Sequence, residues 1–256
     1  MTARPRLREL RLFPIFLRDE VRSGDSVATK LLEALRHQKL RPKQGDILVV
    51  KHKIVSKAEG RLVELASIKP SASSHKWARE YHLDARVTEV ALSQSERIVR
   101  RKNGVLITET HHGLICANSG VDVSNVDGGL HALLLPENSD RSAAQIHRAL
   151  KKHLRLSIPV LITDTFGRPW REGLTEVAIG VAGMQALHDD RGHRDPHGYK
   201  LRVSIEAVAD ELACAAGLVC GKLTRTPACI IRGFQYRPAT GSARDLIRPA
   251  ANDLFR

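Results

Sequence analysis

Short apolar runs alternate with amphipathic stretches along the chain, and no fixed repeat governs them. Ile47-Leu48-Val49-Val50 follows Gly45-Asp46 and predicts a short buried strand. Upstream, Val27, Leu31, Leu32 and Leu35 fall at helical spacing, which predicts a helix over 27–40 capped by Asp25 or Ser26. Segments 104–108 and 114–117 predict paired strands joined through His111-His112-Gly113. Ser142 is the expected cap of a helix running to about Leu154, with Ile146, Ala149 and Leu150 inward. Residues 159–163 predict a strand that ends at Asp164. Leu201, Val203 and Ile205 alternate with Lys200, Arg202 and Ser204, which predicts a half-buried strand over 199–205. A helix over 207–219 and a strand over 228–231 follow. The stretch 68–74, rich in Ser, predicts a mobile loop, and the last 20 residues predict loosely ordered or docked surface chain.

Hairpin-like neighbours break strict strand–helix alternation, so the order predicts an α+β fold with mixed or antiparallel sheets and flanking helices. The 256 residues suit one domain spanning 1–256, with room for two subdomains, and no linker divides them.

Charge changes the picture. Lys and Arg total 41 against 28 Asp and Glu, a net charge of +13. This raises a nucleic-acid binder as a competing class, and the 4% aromatic content argues against a single-strand version of it. The surplus is uneven: +7 over residues 1–60 and zero over 122–180. The densest basic cluster, Arg100-Arg101-Lys102 beside Asn103-Gly104, reads as a solvated hairpin. No secretory leader or membrane span is expected. Cys116, Cys214, Cys220 and Cys229 form no C-x-x-C pair and read as reduced thiols of a cytoplasmic protein.

Common nucleotide signatures fail. There is no G-x-G-x-x-G, the Gly217 to Lys222 stretch is one residue short of a P-loop, and G-x-S-x-G is absent. Four other segments carry dense chemistry. Lys51-His52-Lys53-Ile54-Val55-Ser56-Lys57-Ala58-Glu59-Gly60 places three lysines and a histidine at a strand's end, a positive site suited to phosphate or an ordinary solvated loop. Asn118-Ser119-Gly120-Val121-Asp122-Val123-Ser124-Asn125 can present Asp122 and Asn125 from a tight turn, to a hard divalent cation or to nothing. Ile162 to Gly173 puts Asp164 and Thr165 beside Arg168 and Arg171, which could hold anionic substrate groups. The stretch 189–198 has His193 and His197 four apart, but Gly192, Pro196 and Gly198 oppose a zinc-binding helix, so a flexible loop over a site fits better.

The motifs V-S-K-A-E-G, N-S-G-V-D-V-S-N, I-T-D-T-F-G-R-P-W-R-E-G and I-I-R-G, in this order from Phe13 to about Phe234, resemble the coenzyme F-420 γ-glutamyl ligase family. The resemblance implies a GTP-dependent enzyme that adds L-glutamate to the deazaflavin precursor coenzyme F-420-0 through an acyl phosphate. It implies a divalent metal, Mg or Mn, on Asp122 and Asp164 with Thr165 beside them, and a homodimer. It places Arg18, Asp19, Glu20 and Val21 at the guanine end and His52, Lys53, Lys57 and Asn125 on the nucleotide, with Lys57 also catalytic. Gly221, Lys222, Leu223 and Thr224 would approach the nucleotide too. Where the archaeal form has a metal-binding glutamate after the glycine, this chain has Lys222, whose ammonium cannot ligate a cation. A C-terminal flavin-binding domain, fused in some relatives, is not expected. A ligase of the same fold acting on another carboxylate, or a non-catalytic homologue, fits the same motifs.

Overall fold

The computed structural model describes residues 9–254 except 125 and 222, so Asn125 and Lys222 lie outside the described residues. Its central sheet has five strands: β1 (Arg11–Ile15), β2 (Ile47–Lys51), β8 (Val160–Arg168), β9 (Arg171–Ala182) and β12 (Ala228–Arg232), in the order β1-β12-β2-β8-β9. Only the β2–β8 pair is parallel; the others are antiparallel. The expected mixed α+β fold is what forms.

Alternation along the strands explains the layers. Leu48, Val50, Val160, Ile162 and Ile230 face helices α1 (Val27–His37) and α5 (Ser139–Leu154). Ile47, Val49, Leu161, Cys229 and Ile231 face α6 (Val208–Gly217) on the other side. Strands β2 and β12 and the first half of β8 are therefore buried on both faces, which is why their sequences read as continuous apolar runs. Beside this sandwich, α3 (Ala72–Tyr81) and α4 (Ala85–Ser93) accompany two small sheets. One pairs β3 (Leu62–Glu64) with β7 (His131–Leu133), and the other orders β4 (Ser95–Lys102), β5 (Val105–Thr110) and β6 (Ile115–Ala117). A third apolar cluster of Leu65, Val90, Ala132 and Leu134 sits there. No helix among the described residues is long and apolar enough to cross a membrane.

Several expectations need correction. The segment 68–74 is a loop only as far as Ser71, which caps α3; residues 72–74 are its first turn, and Glu89 of α4 accepts from Ser71 and from the buried Ser74. Asn138, not Ser142, caps α5, because its side chain accepts from Arg141 N at 2.9 Å. Ser142 instead lies inside the helix, its hydroxyl on the Glu59 carboxylate. The residues after β2 coil at once into α2 (His52–Ala58), burying His52, Ile54, Val55 and Ser56. Only β11 (Ile205–Glu206) of the expected 199–205 strand forms, against β10 (His188–Asp189), and Val203 is 89% exposed. Alternation there reflects an exposed arm with no face to bury. Residues 189–198 belong to that arm, closed by the Asp195 carboxylate accepting from His197 N and Tyr199 N, with an Arg194–Lys200 bridge. In the last segment the expected docking is seen, since Ala243 is buried and its amide donates to Asp140.

Candidate active site

The two chemistry-bearing aspartates are 42 positions apart yet meet at the end of β2. Asp122 is placed by a locked turn. Asn118 and Ser119 both take left-handed backbone, and Gly120 follows at φ +70 with no space for a Cβ against Leu135. The buried Ser119 hydroxyl donates to Ala91 O at 2.7 Å, and its amide donates to Thr108 Oγ1 at 2.9 Å. Asp122 then pairs with Leu133 through two backbone hydrogen bonds of 3.0 and 2.8 Å.

Asp164 lies in the middle of β8, not at its end; the Thr-Asp-Thr-Phe-Gly-Arg stretch continues as strand because β9 pairs with it as far as Arg168. The strand that ends here is the neighbour β2, whose last pair is Lys51 with Thr163. A bulge at Ile162/Thr163, a common device beside functional sites, leaves Ile179 of β9 as the extra residue.

Helix α2 brings basic groups to both carboxylates. His52 Nε2 lies 3.2 Å from Asp164 Oδ1, with its Nδ1 3.3 Å from Ser56 Oγ. The ring is thus held between the Asp164 carboxylate and the Ser56 hydroxyl, one on each nitrogen. Lys53 Nζ lies 2.7 Å from Asp122 Oδ2 and donates to both oxygens of Ser124 at 3.0 Å. Burial pushes the Asp164 carboxyl up, as does the nearby Asp122 charge, but the His52 ring and the Thr165 amide outweigh them and hold it below the usual range. Burial likewise opposes ionisation of Asp122, and Lys53 with Ser124 overcomes it. Both groups are therefore carboxylates at neutral pH.

One helical turn beyond Lys53, Lys57 Nζ reaches Glu20 Oε1 at 2.5 Å. This contact ties the segment of Arg18, Asp19, Glu20 and the buried Val21 to α2. Of the 221–224 turn, Gly221, Leu223 and Thr224 are exposed, and Thr224 Oγ1 donates to Gly221 O at 2.9 Å. Thr165 points to the face opposite Asp164, where its hydroxyl donates to Glu176 Oε1 at 2.9 Å. Arg168 donates to Glu172 O at 3.1 Å, back into its own hairpin. Glu59, part of the same motif as Lys57, braces the fold by accepting from Ser142 and from Glu137 N.

Sequence reading missed Glu176. It ion-pairs with Lys51 and lies directly opposite Thr165 in the ladder. A carboxylate directly before the apolar Val177–Ala182 run of β9 is the signal that could have found it.

Carboxylate and hydroxyl oxygens are hard donors of the kind Mg or Mn takes. Among the described residues no group of three or more His, Cys, Asp or Glu could hold a metal. Two carboxylates without a complete cage suit a cation whose remaining positions are filled by water and phosphate.

A family model described as "F420-0:Gamma-glutamyl ligase" matches residues 17–233. The chain is 42% identical over 252 residues to a "Coenzyme F420:L-glutamate ligase" of Methanopyrus kandleri, covering 96% of this chain and 98% of that protein. Proteins of the same description from Methanothermobacter thermautotrophicus and Methanocaldococcus jannaschii are 42% and 40% identical, covering 92% and 83% of this chain and 94% and 85% of their own lengths.

Proposed function

The chain belongs to the F420-0:gamma-glutamyl ligase family, and from that premise we propose that it ligates L-glutamate to coenzyme F-420-0 at the expense of GTP. The observation that carries the reading is the convergence of Asp122 and Asp164, both held ionised, with Lys53 and His52 on one side of β8.

A carboxylate is a poor acylating agent and needs activation. In the proposed sequence a carboxylate oxygen of the deazaflavin precursor attacks the γ-phosphorus of GTP, and GDP leaves with the bonding pair. The glutamate nitrogen then attacks the acyl carbon, inorganic phosphate departs, and the nitrogen gives up its proton as the amide forms. Both steps need positioning and charge neutralisation more than covalent help from protein. A divalent cation, when bound, supplies Lewis-acid charge to the phosphates. Asp122 and Asp164 would hold it, with Thr165 next in the chain. Lys53 and Lys57 supply fixed positive charge, and His52 keeps Asp164 ionised and oriented. The segment 18–21 meets the guanine end, the turn containing Gly221, Leu223 and Thr224 approaches the nucleotide, and Asn125 and Lys222 serve the nucleotide as well. Arg168 and Arg171 serve anionic groups of the deazaflavin substrate. The protein works as a single-domain cytoplasmic homodimer.

The basic charge supports this reading without polymeric nucleic acid, because GTP, glutamate and a phosphodiester substrate are all anionic and are drawn to a net charge of +13. Replacing GTP with ATP in the assay tests the nucleotide choice: turnover is expected with GTP, and equal turnover with ATP contradicts it.

A further inference from the structure

Lys51 stands at the junction where β2 stops and β8 runs on. It closes β2 opposite Thr163, and the next residue, His52, opens α2 and meets Asp164. The Lys51 amide donates to Pro227 O at 2.8 Å, which ties the end of β2 to the chain just beyond the 221–224 turn. Its ammonium goes to the other face of the sheet, where it pairs with Glu176 of β9. Glu176 Oε1 also accepts from Thr165 at 2.9 Å, so the ammonium and the Thr165 hydroxyl meet on one oxygen. The Cys220 thiol, immediately before the turn, is held below the ordinary thiol range by its contact with Cys229 and, against burial, by the Lys51 charge. The ammonium therefore lies between Thr165 and the turn that follows α6.

The two members of the ion pair are not equivalent. Helix α6 covers Glu176: Cys214 Sγ donates to Glu176 O at 3.2 Å, and a Cβ at Gly217 would come within 2.6 Å of Glu176 Cγ. The Glu176 side chain is 10% exposed and its Oε2 is buried, whereas the Lys51 side chain is 20% exposed. What the pair offers at its open edge is an ammonium, not a carboxylate. Glu176 is the one ionic partner of Lys51 among the described residues, so N–H donors remain for a ligand. Anionic oxygens are the acceptors such donors take most strongly, and a lysine binds phosphate as a compact point charge. The neighbouring turn is open to a ligand as well, with Gly221, Leu223 and Thr224 exposed.

We propose that Lys51 is a further nucleotide-binding residue, its ammonium donating to a phosphate oxygen from the α6 side of β8 while Lys53 and Lys57 act from the α2 side. Glu176 is then a positioning residue: it holds the ammonium beside Thr165 and aims it at the turn. The assignment rests on the GTP-dependent reading and extends the phosphate site across the end of β2.

The test must separate a phosphate contact from the structural duty of an ion pair. Glu176→Gln keeps the Lys51 charge, and Lys51→Met/Glu176→Gln removes it on the same background. Between these two variants the Kd for GDP with magnesium, read by calorimetry without turnover, rises about tenfold or more, the loss of one charge-assisted contact. The KM for L-glutamate stays within about twofold, because no amino-acid contact is lost. A second measurement needs no variant: acetic anhydride labelling of Lys51 in the wild-type protein, read by peptide mass spectrometry, falls when GDP and magnesium are present and does not fall with L-glutamate alone. Equal GDP affinity in the two variants, or protection of Lys51 by L-glutamate and not by GDP, overturns the assignment. A wild-type protein that binds GDP through Lys51 yet forms no glutamyl amide would sink the ligation and leave this contact standing. One that binds no GDP at all would sink the nucleotide reading and the contact with it.

Discussion

His52 Nε2 and Asp164 Oδ1 lie 3.2 Å apart, joining the first residue of α2 to the middle of β8. The contact exists because β2 stops at Lys51 and the chain turns straight into a helix, which folds the histidine over the neighbouring parallel strand. It keeps a nearly buried carboxylate charged beside a second one, the condition a phosphate-bound cation requires.

Asp164→Asn and Asp122→Asn should each lower kcat by about 10²-fold or more, the scale set by losing one preorganised electrostatic group in a closed site. Their circular dichroism should stay that of the parent. Wild-type turnover in either variant, measured at saturating magnesium, contradicts the assignment.

Stability should respond to acid through the same two groups. Both have folded-state pKa values below the ordinary carboxylate range. A depressed folded pKa gives stability that is present above the unfolded value of about 4 and is lost as pH falls through the folded value. Urea midpoints should therefore be flat from neutrality to about pH 5 and then drop. In Asp164→Asn the drop should be shallower; an identical acid limb in both proteins excludes Asp164 as a contributor.

Lys57→Ala should raise the KM for GTP about tenfold, in line with loss of one charge-assisted phosphate contact, roughly 1.4 kcal/mol. It also frees Glu20 and so loosens the 18–21 segment. An unchanged GTP dependence counts against the role.

Two residues far from the chemistry should affect stability alone. A Cβ at Gly180 would sit 2.4 Å from Ser139 O, where β9 passes under the start of α5, so Gly180→Ala should cost about 1–3 kcal/mol. Asp46, fully buried, takes Arg232 at 2.7 Å and the Lys43 amide at 2.7 Å. Asp46→Ala should cost about 1–3 kcal/mol, because it leaves the Lys43 amide without its acceptor and removes the carboxylate from an arginine that keeps Arg41 O and the Phe13 ring. Urea denaturation measures both, and a cost below about 0.5 kcal/mol at either position refutes the packing argument.

The sandwich was legible where burial on both faces makes a strand uniformly apolar, as at 47–50 and 228–231, and where one helical face is apolar, as in α1. It was not legible where polar residues occupy regular structure for another reason. The second half of β8 and the first half of β9 are polar because they carry the site beyond the end of β2. Helix α3 begins in a serine run because Ser71 and Ser74 bind Glu89, a tertiary partner no local pattern reveals. Val203 alternates like a strand residue and has nothing to pack on. In the site, Asp122, Asp164, Lys53 and Lys57 stood out as charges among small residues at segment junctions. Glu176 did not, because its meaning depends on ladder partners contributed by β8 and on Lys51 from β2.

The central claim is that Asp122 and Asp164 support nucleotide-driven formation of a glutamyl amide. Mass spectrometry of coenzyme F-420-0 incubated with the protein, L-glutamate, magnesium and GTP tests it most directly. The account predicts a glutamylated product with GDP and phosphate released in equal amounts, and a yield of all three lowered about 10²-fold or more with Asp164→Asn. Glutamylation without consumption of GTP, or undiminished by that substitution, would contradict it.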